Sequence, residues 1–334
     1  MNAAVLKGPR QLEIEARPSL EPAAGEAVVR IKAAGLCGTD YRIWTGDRPV
    51  TYPRVMGHEL IGTVRAVGSG VDRLAVGEKV AVEPNYSCGV CPLCREGNRN
   101  LCLSRTAVGI DVDGGFAEEV AVPVRCCWVA PAGVADDQLL LTEPLAVVVR
   151  AVRRSEPRMG ETAAVLGVGS LGLLAIQVLK ARGIRVLAVS RSDRRLALAR
   201  DVGADVVATV SMGADVAAAR ALSGREGVDM VIETAGTAQA VTQAVELCRP
   251  GGRIVLTGLP HEPTALSFFS VVRRELRILG SMIYQDEFSE AMRLLAEGSV
   301  RAQRLVTHRF PLAEIDRAFL VHSEPDSIKV ALTV

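Results

Sequence analysis

The chain has 334 residues, enough for two domains of ordinary size; 49% of them are hydrophobic and 23% are charged, as in a globular protein. Its formal net charge is +1 and only 4% of its residues are aromatic, so we expect neither a nucleic-acid nor a membrane partner. Because no signal peptide and no apolar run of membrane-spanning length is visible, the sequence predicts a cytoplasmic protein whose eight cysteines are reduced.

The first third of the chain predicts an all-β region. Residues 3–6 and 27–31 are apolar runs with Gly and Pro between them, and residues 61–67 and 79–82 continue the pattern. Short strands separated by turns rich in Gly and Pro are typical of a small barrel. We therefore expect the N-terminal region to form a β-barrel.

Cys37, His58 and Glu59 form the first group with metal-ligand chemistry. Zinc prefers thiolate sulfur and imidazole nitrogen, and a carboxylate oxygen can complete its shell. Three protein ligands leave open the fourth position that a catalytic zinc needs, and Asp40 is placed to orient the imidazole. The alternative is a buried Cys, a core His and a solvated Glu; their occurrence together favours a metal.

Four further cysteines predict a second metal site. They are separated by two, two and seven residues, a spacing that can close a tetrahedron around one zinc and stabilise a lobe over residues 86–103. An iron–sulfur cluster is the rival interpretation. Cys126, Cys127 and Cys248 have no metal spacing, so we expect them to pack as small apolar side chains. The four predicted ligands are Cys88, Cys91, Cys94 and Cys102.

From about residue 142 the pattern changes to apolar strands that alternate with helices, as in a parallel α/β sheet. Residues 162–166 predict a buried strand and residues 173–182 a helix. A glycine-rich turn between them is the dinucleotide-binding fingerprint, in which the backbone approaches a pyrophosphate at the helix N-terminus. A glycine turn with no ligand is the alternative. The predicted loop is Gly167, Val168, Gly169, Ser170, Leu171 and Gly172.

The end of the next predicted strand bears on which dinucleotide binds. NAD-binding proteins place an acidic residue there to contact the ribose hydroxyl, whereas this chain has Ser190 followed by Arg191. A hydroxyl and a guanidinium suit a 2′-phosphate, and Arg195 lies one helical turn further on. The sequence therefore predicts NADP rather than NAD. Asp193 near the ribose, or a solvated helix start, are the alternatives.

The carboxyl ends of later strands predict the nicotinamide pocket, because ligands of open parallel sheets lie at that edge. Thr234, Gly258 and Ser281 occupy such positions. Residues 288–297 and 315–321 then predict helices, and residues 328–334 predict a last strand that rejoins the first domain.

Together these motifs resemble the zinc-containing alcohol dehydrogenases of the medium-chain superfamily. The run Gly57-His58-Glu59 with Gly62 and Gly68, the four-cysteine spacing and the glycine-rich loop carry the resemblance, which covers essentially the whole chain. It implies an α/β protein with two domains and an active site in the cleft between them. The expected domains are a GroES-like barrel formed by residues 1–145 and 282–334 and an inserted Rossmann domain formed by residues 146–281.

Glu143-Pro144-Leu145 is similar to the sorbitol and polyol dehydrogenase branch. The resemblance implies that Cys37, His58 and Glu59 bind the catalytic zinc, that Glu143 binds the metal or its water, and that the two glutamates exchange roles. It also implies that Thr39 passes on the substrate proton. Arg42 departs from the family, which often has a His there, because an arginine cannot accept a proton. Ile283-Tyr284 replaces an Arg-Tyr pair, which puts sorbitol itself in doubt.

The implied function is hydride transfer between a secondary alcohol, polyol or sugar hydroxyl and NADP, with two zinc ions per chain. The family is usually dimeric or tetrameric, so a homodimer or homotetramer is expected. A zinc-free quinone or enone reductase of the same superfamily is one rival interpretation, and the complete ligand sets argue against it. A non-catalytic NADP-binding redox sensor is the other, and it predicts a damaged metal shell.

Overall fold

The computed structural model describes residues 1–210, 213–260 and 263–334, and these divide into two compact units. The first unit comprises Met1–Glu143 and Ala302–Val334, and the second comprises Pro144–Arg301. The first unit is thus made from both ends of the chain, and the second is inserted between them.

The N-terminal part of the first unit contains ten strands and three short helices. They are β1 (Asn2–Gly8), β2 (Gln11–Ala16), β3 (Glu26–Gly35), α1 (Gly38–Thr45), β4 (Arg54–Val55), β5 (Glu59–Val67), β6 (Lys79–Val82), β7 (Asn85–Tyr86), α2 (Pro92–Arg95), β8 (Thr106–Ala107), β9 (Glu119–Pro123), β10 (Cys127–Val129) and α3 (Asp136–Leu139).

The inserted unit alternates strands and helices. Helix α4 (Thr142–Arg154) starts with two residues of the first unit and continues into the inserted unit. The other elements of the inserted unit are β11 (Thr162–Leu166), α5 (Ser170–Ala181), β12 (Arg185–Ser190), α6 (Asp193–Asp201), β13 (Val206–Thr209), α7 (Ala214–Ser223), β14 (Val228–Glu233), α8 (Ala238–Leu247), β15 (Cys248–Leu256), α9 (Phe268–Arg273), β16 (Arg277–Gly280) and α10 (Glu287–Ala296). The chain then returns to the first unit with β17 (Val306–Pro311), α11 (Ile315–His322) and β18 (Lys329–Thr333).

The sheets of the first unit share one apolar core. A seven-stranded sheet has the order β10-β6-β5-β3-β18-β17, with β9 also pairing with β3, and a three-stranded sheet has the order β2-β1-β4. The C-terminal segment contributes to the same core, since Phe319 of α11 stacks on Trp44 of α1 with ring centroids 5.1 Å apart. The last strand pairs antiparallel with β3 of the first unit, and the sequence predicts that this strand rejoins the first domain.

The second unit is a six-stranded parallel sheet with the order β13-β12-β11-β14-β15-β16. This is the strand order of the doubly wound dinucleotide-binding fold, in which the ligand lies at the carboxyl ends of the central strands. β11 and β14 are completely buried, which explains their largely apolar sequences; Asp229 and Glu233 are the charged residues of β14.

Residues 282–301 belong to the second unit, whereas the sequence-based boundary put them in the barrel domain. Polar contacts hold this segment there. Glu287 pairs with Arg150 at 3.3 Å, and Glu290 pairs with Arg182 at 2.8 Å. The backbone N–H of Arg301 donates to a side-chain oxygen within α5. Such long-range pairs carry no local sequence signal, so the boundary could not be found from the pattern alone.

A search of the described residues for a helix with the length and apolarity needed to cross a lipid bilayer found none.

Candidate active site

Cys37, His58 and Glu59 come together at one end of β3 and β5. One thiol sulfur, one imidazole nitrogen and one carboxylate oxygen of these residues all lie within 4.8 Å of one another. Cys37 directly precedes α1, and Glu59 is the first residue of β5, paired in register with Gly35. Soft sulfur, borderline nitrogen and hard oxygen converging on one point form a donor set that fits zinc.

Asp40 orients this group from the first turn of α1. Its carboxylate is completely buried, lies 3.2 Å from Nδ1 of His58, and accepts the backbone N–H of Cys37 at 2.9 Å. Burial opposes protonation of His58, but the charge and hydrogen bond of Asp40, together with Cys37, outweigh it, so the pKa of His58 lies well above its ordinary value. A carboxylate behind an imidazole fixes the ring and leaves Nε2 for a metal.

Lys329, on β18, is the site residue that sequence reasoning missed. Its ammonium lies 2.7 Å from both carboxylate oxygens of Glu59 and donates to the carbonyl of Leu36 at 3.0 Å. Both charged side chains are buried. Burial opposes the charge on Lys329, but Glu59, Cys37 and Glu143 together outweigh it, and the pKa of Lys329 is raised. The available signal was a single lysine within the otherwise apolar run of residues 328–334.

Glycine at position 35 leaves room for this pair. A Cβ at Gly35 would lie 2.2 Å from Oε2 of Glu59, so any other residue would displace the carboxylate. β3 lies between β5, which carries Glu59, and β18, which carries Lys329. The missing side chain therefore leaves the space in which a lysine on one strand meets a glutamate two strands away.

Glu143, the second residue of α4, is buried in the same electrostatic environment. Burial raises the pKa of its carboxyl to about 7; His58 opposes this shift and the negative charge of Glu59 adds to it. Since Lys329 already pairs with both oxygens of Glu59, the two glutamates are not equivalent. Glu143 has the less compensated carboxyl group and the greater need for a cation.

Thr39 and Arg42 lie one turn apart on α1, and both are half-buried. Thr39 is two residues from Cys37, so its hydroxyl is carried by the same helix start as the thiol. Nε of Arg42 is buried and has no hydrogen-bond partner among the described residues. Tyr284, in contrast, is a buried residue of the second unit that packs against the ring of Phe288.

The four remaining predicted ligands also cluster. The sulfurs of Cys88, Cys91, Cys94 and Cys102 lie within 4.8 Å of one another, and none of these cysteines forms a disulfide. The short β7–β8 pair closes the base of the lobe. Backbone N–H groups lower the pKa of Cys91 to about 6, while burial raises that of Cys94 to about 11. Four sulfurs at tetrahedral spacing fit a closed zinc site.

The glycine-rich loop connects β11 to α5. Gly167 has a φ of +88°, and a Cβ there would meet the backbone of Ala235 at 2.8 Å. A Cβ at Gly172 would lie 1.9 Å from the Gly167 carbonyl oxygen. α5 starts at Ser170 without a side-chain cap, so its first N–H groups remain available to an anion. Val168 and Leu171 lie within the same turn.

Ser190 is the last residue of β12, as predicted, and its hydroxyl accepts the N–H of Ser192 at 3.2 Å. Arg191 follows it on the surface. Nη1 of Arg195 lies 3.7 Å from the position that a Cβ of Gly169 would occupy. The structure thus brings a guanidinium from α6 beside the glycine-rich loop.

Thr234, Gly258 and Ser281 follow β14, β15 and β16, at one edge of the sheet. The hydroxyl of Ser281 is buried without a partner among the described residues, whereas that of Thr234 contacts the glycine-rich loop. Glu233, which sequence reasoning did not single out, is fully buried beside them. Burial raises the pKa of its carboxyl against the opposing effect of backbone N–H donors.

Comparison with known families supplies two matches. The model of the alcohol dehydrogenase GroES-like domain matches residues 23–132, and that of the zinc-binding dehydrogenases matches residues 170–297. The starvation-sensing protein RspB of Escherichia coli K12 is 34% identical, with 100% of this chain and 99% of the relative covered. The sorbitol dehydrogenase of Halalkalibacterium halodurans is 32% identical, with 98% and 96% covered.

Comparison with solved structures also finds dehydrogenases. A putative zinc-binding dehydrogenase from Sinorhizobium meliloti 1021, bound to NADP, has a TM-score of 0.95 and 35% identity, with 100% of this chain and 99% of that chain covered. A protein described as a short chain alcohol dehydrogenase, from Escherichia coli CFT073 and complexed with NADH, has a TM-score of 0.94 and 34% identity over the same shares. The similarity therefore spans both units.

Proposed function

This chain belongs to the zinc-binding dehydrogenases of the medium-chain alcohol dehydrogenase superfamily, and from that membership we propose that it transfers a hydride between a secondary alcohol, polyol or sugar hydroxyl and NADP. It is an oxidoreductase that acts on an alcohol or polyol, a small molecule. The observation that carries the finer proposal is the convergence of Cys37, His58 and Glu59 on one point, with Asp40 behind the imidazole.

We assign the catalytic zinc to Cys37 and His58 together with a glutamate. Glu143 is the preferred third ligand, because Glu59 is already neutralised by Lys329. In this arrangement Glu59 lies behind the zinc ligands. It replaces Glu143 as the third ligand when the coordination of the zinc changes. A second, structural zinc belongs to Cys88, Cys91, Cys94 and Cys102. The four cysteine sulfurs fit zinc in chemistry and in spacing, as do the ligand atoms of Cys37, His58 and Glu59; Glu143 fits it in chemistry and burial.

The chemistry divides between the bound groups and the protein. Zinc supplies a Lewis acid that makes a hydroxyl more acidic, and the nicotinamide supplies the hydride acceptor. The Thr39 hydroxyl would accept the proton of the substrate hydroxyl while it donates its own proton outward, so that it stays neutral. Arg42 cannot accept this proton, so the proton must pass from Thr39 to water or to a cofactor hydroxyl. Asp40 holds the His58 ring throughout.

We propose that the pyrophosphate binds at the start of α5 and at Gly167, Gly169 and Gly172. The 2′-phosphate is proposed to bind to Ser190, Arg191 and Arg195. A guanidinium forms charge-assisted hydrogen bonds with a phosphate, whereas the corresponding hydroxyl of NAD offers it no charge. Thr234, Gly258 and Ser281 are proposed to lie around the nicotinamide end.

Replacing Arg191 with alanine tests the NADP proposal. We expect KM for NADP to rise about tenfold or more, because one charge-assisted hydrogen bond to phosphate is lost, while KM for NAD stays nearly constant. Arg200→Ala is the matched control, since it removes an exposed arginine from the last turn of α6, the helix that begins two residues after Arg191. Equal changes for both dinucleotides in Arg191→Ala would refute the preference for NADP.

We propose a homodimer or homotetramer in which the edge of the parallel sheet is one contact. Within the described residues β16 has a neighbouring strand on one side only. The adjacent helix α9 presents Phe268, Phe269 and Val272, which are 70–76% exposed. An open strand edge beside an apolar patch can be covered by the same edge of a second copy. Light scattering of the wild type and of Val272→Asp measures the oligomeric state. A monomeric wild type would refute the proposed oligomer.

The direct test of function is the appearance of reduced nicotinamide absorbance with zinc-replete protein. The panel contains polyols, sugar acids and secondary alcohols, each with NADP⁺ and NAD⁺ in parallel. Turnover with NADP⁺ on one substrate class would support both parts of the proposal. Turnover with NAD⁺ alone would refute the assignment of NADP but support the proposed reaction. If the protein were inactive with every alcohol, and also with ketones in the reductive direction, the proposed reaction would be refuted.

A further inference from the structure

The hydroxyl of Thr234 links the turn after β14 to the start of the glycine-rich loop. Thr234 follows β14, and its Oγ1 lies 3.0 Å from the carbonyl oxygen of Leu166 and 2.8 Å from that of Gly167. The backbone N–H of Thr234 also donates to Leu166 at 2.9 Å. The turn after β14 is thereby attached to the last residue of β11 and to the first glycine of the glycine-rich loop.

Glu233 makes this turn rigid. Its side chain is fully buried, and Oε1 accepts the backbone N–H groups of Ala235 at 2.7 Å and Gly236 at 2.8 Å. The turn also packs directly on the loop, because a Cβ at Gly167 would lie 2.8 Å from the Ala235 nitrogen. The Thr234 hydroxyl is therefore presented to the loop by a segment that has little freedom of its own.

The consequence for the loop follows from the planarity of the peptide bond. In a trans peptide the carbonyl oxygen and the next N–H point in opposite directions. The Gly167 carbonyl is directed towards the Thr234 hydroxyl and the backbone of Gly172. The N–H of Val168 must then point to the other side of the same peptide. An anion on that side of the peptide meets the N–H donor of Val168 instead of the partial negative charge on the Gly167 carbonyl oxygen.

We propose that Thr234 is a positioning residue for the dinucleotide, whose hydroxyl fixes the Gly167–Val168 peptide so that its N–H faces the pyrophosphate. This inference rests on the proposed function, since it needs a dinucleotide at the glycine-rich loop. It gives Thr234 a different role from lining the nicotinamide pocket, because its hydroxyl acts through the loop backbone. Preorganised donors raise affinity because their ordering does not oppose binding.

The test compares three variants by direct binding, with substrate-free protein titrated with NADPH or NADH and followed by the fluorescence of the reduced nicotinamide. Thr234→Val keeps the shape and removes the donor, and we expect its Kd to rise about tenfold. Thr234→Ser restores the hydroxyl and should stay within about threefold of wild type. In steady-state kinetics, KM for the dinucleotide should rise in Thr234→Val while kcat changes little.

Thr162→Val is the matched control. Thr162 is the first residue of β11, at the end of this central strand that is remote from the glycine-rich loop, and its buried hydroxyl donates to Asp229 at 2.8 Å. This variant loses a comparable hydrogen bond and some thermal stability, which unfolding curves record, but its Kd should equal that of wild type. A general loss of order in the sheet would weaken both valine variants alike.

Three results would overturn the inference. Thr234→Val could bind as tightly as wild type, Thr162→Val could lose as much affinity, or Thr234→Ser could fail to recover binding. Wild-type protein that binds neither dinucleotide would instead refute the proposed function, and the inference with it. The two failures are thus told apart by the wild-type titration alone.

Discussion

Cys37→Ser is expected to lower turnover at least about a thousandfold, equivalent to roughly 4 kcal/mol of activation free energy, because a serine hydroxyl is a poor zinc ligand at neutral pH. Zinc content should fall from two ions per chain to one, since the four-cysteine lobe is untouched. Elemental analysis and a steady-state assay on the best substrate of the panel measure both effects.

Cys126→Ala is the matched control for this experiment. Cys126 is a buried cysteine of the same unit that belongs to neither metal cluster among the described residues. It should keep both zinc ions and near-normal turnover. If Cys37→Ser retained two zinc ions, or retained activity, the assignment of Cys37 to the catalytic zinc would be wrong.

Lys329→Met is expected to destabilise the protein by about 3–5 kcal/mol, because it leaves the carboxylate of Glu59 buried without its counter-ion. Turnover should fall as well, since an uncompensated negative charge then lies beside Cys37 and His58. Urea denaturation of the zinc-loaded protein measures the change in the free energy of unfolding.

Two further variants isolate the buried pair. Glu59→Gln/Lys329→Met should recover much of the stability, because neither partner then carries a buried charge. Lys32→Met breaks the exposed ion pair between Lys32 and Asp136 and should cost no more than about 1 kcal/mol. If Lys329→Met were no less stable than Lys32→Met, the buried pair would not have the structural role that its geometry suggests.

The two clusters of candidate metal ligands could be predicted because each depends on short-range spacing and on side chains with distinctive chemistry. Four cysteines within fifteen positions, or a glycine-rich turn between an apolar strand and a helix, restrict local geometry wherever they occur. The helices at Glu287–Ala296 and Ile315–His322 were predicted nearly to the residue, since their apolar periodicity is also local. For the same reason the alternation of strands and helices was sufficient to predict the parallel sheet.

What the sequence alone determined, therefore, is the family, the fold class and the candidate ligands, because those depend on local patterns. The tertiary structure decided which residues interact across long separations. Lys329 meets Glu59 from 270 positions away, and Thr234 reaches Gly167 from 67. It also placed residues 282–301 with the parallel sheet, through ion pairs that no window of sequence contains. Such contacts depend on the order of strands in a sheet, and only the folded chain fixes that order.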